Sequence, residues 1–159
     1  MSNSTAGSVQ VHHGQSFGQW VLLCQATGPN RTVCALQQIY FQDESQQALA
    51  GGFVFQKIDA AHPVQLVLQT PCGVEIPAGV KWQLDQGPEQ DAFYNTCAPQ
   101  GGIVILPLDD MLLRLMLDAK MITLYYVVNG QTMAVQGSTE GLTDAFQALG
   151  WVEAAGTLQ

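Results

Sequence analysis

The sequence predicts a mainly β fold, an antiparallel β-sandwich or partly open barrel with two short helices in its C-terminal half. Three observations carry that reading. Short runs alternate apolar and polar residues from Phe17 onward, an Asn129-Gly130 pair separates two such runs, and two late segments repeat apolar residues every three or four positions.

Residues 1–16 are small, polar and rich in Gly and Ser, with His12-His13, and bury too little apolar area to order themselves, so a flexible tail is expected there. Residues 17–159 then form a single domain. In the first strand Trp20, Leu22 and Cys24 share one face, and Gly28-Pro29-Asn30-Arg31 turns the chain into a second run, Val33 to Phe41. Phe53 to Ile58 and Val64 to Gln69 follow, separated by a turn at Asp59 to Pro63. Val80, Trp82 and Leu84 alternate with Lys81, Gln83 and Asp85, and Ile103 to Leu106 suits a strand covered on both faces. Asn129-Gly130 favours the positive φ of a type I′ turn, which pairs Ile122–Val128 with Gln131–Gln136.

Two helices interrupt the pattern. The first spans roughly 109–119, capped by Asp109, with Leu112, Leu115, Met116 and Ala119 on one stripe. The second starts near Ser138 or Thr139, carries Leu142, Ala145, Phe146 and Leu149, and stops at Gly150.

The chain has 159 residues, 47% apolar and 11% charged, which excludes a disordered acidic tail and a charge-laced coiled coil. Five Lys and Arg against 13 Asp and Glu give a net charge of -8, so nucleic acid and anionic lipid are disfavoured partners. Glutamine, at 20 residues, stands on the outward face of several strands where charge is more usual. The first eight residues lack a basic segment and an apolar core of a signal peptide, and the longest apolar runs, such as Met111 to Leu117, are too short to span a bilayer.

Catalytic and metal motifs are weak. Gly14-Gln15-Ser16-Phe17-Gly18 matches a hydrolase nucleophile elbow, with Asp43 or Asp59 and His62 formally available, but a tail precedes the serine and a strand follows it, the reverse of the required context. Adjacent imidazoles at His12-His13 make a poor metal site on a tail, and no cofactor-binding loop is present. Asp109-Asp110 is accounted for by capping and Asp43-Glu44 by a strand-end turn. The sequence therefore names no catalytic, metal or cofactor residues. The helix at Met111 to Leu117 is apolar around most of its circumference, which means burial on several sides or an interface, burial being the commoner case.

Cys24, Cys34, Cys72 and Cys97 form no C-x-x-C and have no neighbouring histidine, so they read as two disulfides rather than a zinc site, with four buried thiols as the alternative. Three pairings are possible. Adjacent-strand geometry favours Cys24 with Cys34, leaving Cys72 with Cys97, each loop stabilising by roughly 3 kcal/mol in the chain-entropy model. Such bonds imply an oxidising compartment and a removed export signal.

Taken in order, several pieces of the chain resemble the invasion-associated locus B (IalB) family of exported bacterial proteins. They are Phe17-Gly18-Gln19-Trp20 with Cys24 four residues on, Cys34-Ala35-Leu36-Gln37-Gln38, Gly73 to Val80, Phe93 to Cys97, Gly101-Gly102, Leu108 to Leu112, and Phe146-Gln147-Ala148-Leu149. The resemblance covers nearly the whole chain from Phe17. It departs at Ile103, where such proteins often carry a cysteine just after the Gly-Gly, and that makes Cys72 the replacement partner of Cys97. The resemblance implies a periplasmic, outer-surface or secreted protein and, in pathogenic members, a part in entering host cells. It carries over no catalytic residue. The leading expectation is thus a non-enzymatic protein that binds a protein or cell-surface partner, with host-cell invasion or envelope maintenance as its role. The rival is an extracytoplasmic hydrolase assembled from Ser16, His62 and Asp59.

Overall fold

A computed structural model describes residues 14–29, 31–42, 49–57, 61–98 and 101–151. In chain order the strands are β1 (Ser16–Phe17), β2 (Trp20–Gly28), β3 (Arg31–Phe41), β4 (Leu49–Gln56), β5 (Gln65–Thr70), β6 (Val80–Leu84), β7 (Gln90–Ala92), β8 (Thr96–Ala98), β9 (Gly101–Pro107), β10 (Met121–Val128) and β11 (Gln131–Ser138). The helices are α1 (Asp110–Asp118) and α2 (Leu142–Ala148). The strands make two sheets, ordered β1-β2-β3-β4-β5-β9-β8 and β11-β10-β6-β7, with every pairing antiparallel. Neither sheet closes into a barrel, so the fold is the expected antiparallel sandwich with two short helices.

Alternation dictates the core. Trp20 and Leu22 of β2, Leu36 of β3, Phe53 and Phe55 of β4, and Leu66 and Leu68 of β5 point inward from the larger sheet. Val80 and Trp82 of β6 and Ile122, Leu124 and Tyr126 of β10 meet them from the smaller one. Trp20, Phe55, Phe146 and Trp151 form a chain of tilted and edge-to-face rings with centroids 5.0 to 5.3 Å apart.

A side chain joins the two sheets where the strands do not. The Gln38 amide accepts from Ser138 N–H at 3.0 Å and donates to Ser138 C=O at 2.9 Å, and the Trp20 indole N–H donates to the same carbonyl at 3.0 Å. Gln38 therefore pairs with the end of β11 as a neighbouring strand would.

Several boundaries differ from expectation. Gly14 and Ser16, expected in the tail, are tied to β2, since Gly14 N–H donates to Leu22 C=O and Ser16 pairs with Val21. At Gly18 the backbone turns with φ of 61°, and an added Cβ would lie 2.2 Å from the Glu140 carbonyl oxygen, so only glycine lets this turn approach the start of α2. The helix α2 does not begin at Ser138 or Thr139. Those residues are occupied by the sheet joint and by a Thr139 hydroxyl bond to Ala119 C=O, which delays the helix to Leu142. Its end is as expected, with Gly150 N–H on Gln147 C=O and Trp151 N–H on Phe146 C=O, the paired bonds of a Schellman stop. The β10–β11 hairpin turns at Asn129-Gly130 with φ of 51° and 75°.

Candidate functional site

One concavity lies between α1 and the smaller sheet. Asp109 caps α1, accepting from Leu112 N–H at 2.8 Å, as its sequence position predicts. The helix buries Leu113 and Met116 against the core and leaves Met111 at 74% and Leu115 at 53% exposure. The expected stripe of Leu112, Leu115, Met116 and Ala119 is thus rotated, with Leu115 facing outward instead of inward.

Between Met111, Leu112 and Leu115 on one side and Trp82 and Leu84 of β6 on the other is a groove of about 550 Å³. Gly87 and Pro88 of the β6–β7 turn and Gln90 of β7 also line it, as do Asp85, Asp109 and Asp118. Asp85 fixes the geometry. Its carboxylate accepts from Lys120 N–H at 3.0 Å and Met121 N–H at 2.9 Å, and its own N–H donates to Met121 C=O at 3.0 Å, which binds the β6–β7 turn to the end of α1. Gln83 then donates to Gly87 C=O at 2.8 Å and accepts from the Tyr125 hydroxyl at 2.8 Å, holding the turn's return.

Lys81, on the opposite face of β6 from Trp82, is engaged by Asp91 at 2.7 Å, and that hydrogen bond and charge raise the lysine pKa above its ordinary value. A second depression of about 580 Å³ lies over β2 and β3, lined by Gln19, Val21, Gln37, Gln38, Ile39, Tyr40 and Phe41. There the Tyr40 hydroxyl donates to Gln19 Oε1 at 3.2 Å and also meets Gln38 Oε1, and burial raises its pKa.

One of the two expected disulfides is formed. Cys24 and Cys34 are register partners on β2 and β3 with Cα atoms 4.0 Å apart, and their sulfurs are joined. Cys72 and Cys97 are instead exposed thiols not joined to each other.

The formal hydrolase set is not assembled. Ser16 sits exposed on β1, and His62 lies in the β4–β5 connection with β2 and β3 between them, at least three strand spacings or roughly 14 Å away. The His62 carbonyl accepts from Lys57 Nζ at 2.9 Å. Asp43, Glu44, Asp59, His12 and His13 lie outside the described residues. Among the described residues no three His, Cys, Asp or Glu side chains converge on a point that could hold a metal ion, and no helix is long and apolar enough to cross a membrane.

Sequence reasoning missed Asp85, Asp118 and Pro88 as site residues. Their contribution depends on the β6–β7 turn folding back beside α1, for which no local pattern gives a signal. The available signal was the surplus of apolar residues on α1.

A search of curated proteins by sequence finds no match. The crystal structure of invasion associated protein b from Bartonella henselae superposes with a TM-score of 0.72 at 18% identity, covering 89% of this chain and 97% of that one. At that identity the likeness concerns the fold. The family model for Invasion associated locus B (IalB) protein matches residues 20–150, from the first core tryptophan to the glycine that stops α2, and the chain accordingly belongs to the IalB family.

Proposed function

We propose that this IalB-family chain is an exported bacterial protein that works by binding a protein or cell-surface partner, with its contact face at the α1 groove and its role in host-cell invasion or envelope maintenance. The observation that carries the reading is the exposure of Met111 and Leu115 above a formed apolar groove. A helix that only covered a sheet would hide such side chains, and contiguous exposed apolar surface of this kind marks binding faces. The Cys24–Cys34 bond supports an oxidising compartment such as the periplasm or cell surface. The placement of Ser16 on β1 and of His62 in the β4–β5 connection supports the binding reading over the hydrolase that the sequence formally offered.

The test is capture from envelope extracts and host-cell membranes by the wild-type chain and by the Met111→Gln/Leu115→Gln variant. A partner held by the first and lost by the second supports the reading. Equal capture by both, or no specific partner from either source, overturns it.

A further inference from the structure

We propose that the α1 groove receives a basic, apolar polypeptide segment of another protein, one large apolar side chain seated over Trp82 and Leu84 with Lys or Arg beside it. The inference rests on the binding reading above and adds the chemistry of the partner.

The groove combines an apolar interior with carboxylates of one sign. Asp85, Asp109 and Asp118 line it, Asp110 follows Asp109, and no Lys or Arg is among its lining residues. Lys81 is held by Asp91 on the opposite face of β6. Two of the carboxylates are fixed before any partner arrives. Asp85 is held by the Lys120 and Met121 amides and Asp109 by the Leu112 amide, so little ordering is needed on binding. An approaching cation gains from all three carboxylates while its apolar neighbour leaves water. Met111 supplies an unbranched, polarisable wall that adapts to the shape of the inserted group.

Charge also selects the occupant. The chain's own residues 1–13 and 152–159 contain no Lys or Arg, so neither terminal segment supplies the complementary charge. A second copy carries the same net charge of -8, and its approach would be repelled. A basic segment of a different polypeptide meets both requirements.

The experiment uses the full chain and a fluorescein-labelled twelve-residue peptide of Lys, Leu and Phe. Two control peptides replace Lys by Gln, or Leu and Phe by Ser. In about 50 mM salt the parent peptide should bind about tenfold tighter than either control, because each control lacks one half of the recognition. Met111→Gln/Leu115→Gln should weaken it about tenfold. Asp118→Asn should weaken it several-fold and flatten its salt dependence, whereas Asp144→Asn, on α2, should change neither. Thermal unfolding of each variant checks that the fold is retained. Equal binding by the Gln-substituted peptide, an unaffected double variant, identical behaviour of Asp118→Asn and Asp144→Asn, or no binding at all would each overturn the proposal. If the envelope capture described above still separates wild type from the double variant while the Lys peptide fails, the groove remains a binding face and the basic chemistry is what is wrong.

Discussion

The two helices have similar apolar content and opposite relations to the core. In seven residues α2 buries Leu142, Ala145 and Phe146, and its Schellman stop places Trp151 on the Phe146 ring. In nine residues α1 buries only Leu113 and Met116 and exposes Met111 and Leu115. One helix completes the sandwich and the other forms one wall of an open groove. Apolar content alone therefore does not say whether a helix is core or contact surface. What separates them is how many sides are enclosed. The β1–β2 turn and the aromatic chain close around α2, while α1 meets the sheet on one side and water on another.

The sharpest way to break this comparison is Phe146→Ala, which should cost about 3–5 kcal/mol because the cavity opens between Phe55 and Trp151. Urea denaturation measures it, and a loss under 1 kcal/mol would mean that α2 is no more integral than α1. Next in size is the Cys24–Cys34 bond between β2 and β3, whose removal by Cys24→Ala/Cys34→Ala should cost about 3 kcal/mol by releasing the closed loop in the unfolded chain. The difference in unfolding midpoint between wild type and variant reports it.

Gln38→Ala should cost about 1–3 kcal/mol, since it leaves the Ser138 N–H without its acceptor at the sheet joint. Amide exchange at Ser138 should accelerate more than at β10 residues, and uniform acceleration would argue that the joint is not local. On α1, Asp109→Ala should cost about 1 kcal/mol through loss of the cap. The smallest effect belongs to Met111→Gln/Leu115→Gln, expected within about 0.5 kcal/mol per site because both side chains already face water. A loss of several kcal/mol there would show that α1 is core after all.

The strands were legible because alternation fixes which face turns inward. Trp20, Leu22, Val80 and Trp82 are buried as their spacing predicts. Asn129-Gly130 and Asp109 were legible because each performs a local task that few other residues can. The short strands β7 and β8 were not, since three residues carry too little alternation to register and are set by their neighbours β6 and β9. The exposed face of α1 was misread for a related reason. Met111 to Leu117 is apolar at every position except Arg114, so its periodicity is nearly flat and the fold chooses the buried side. The Cys72–Cys97 pairing followed from elimination and from a family pattern that Ile103 already broke, and the two thiols are not joined. The groove itself was invisible because Asp85 and Pro88 reach α1 only through tertiary folding.

The joint made by Gln38, Trp20 and Ser138 contains an amide, an indole and a peptide group, none of which gains or loses a proton in acid. The adjoining Tyr40 phenol has its pKa raised by burial, so its neutral form is favoured and its contribution persists until the medium passes the ordinary value of 10.0. Acidification of the surroundings therefore leaves the seam between the sheets intact, and only strong alkali loosens it.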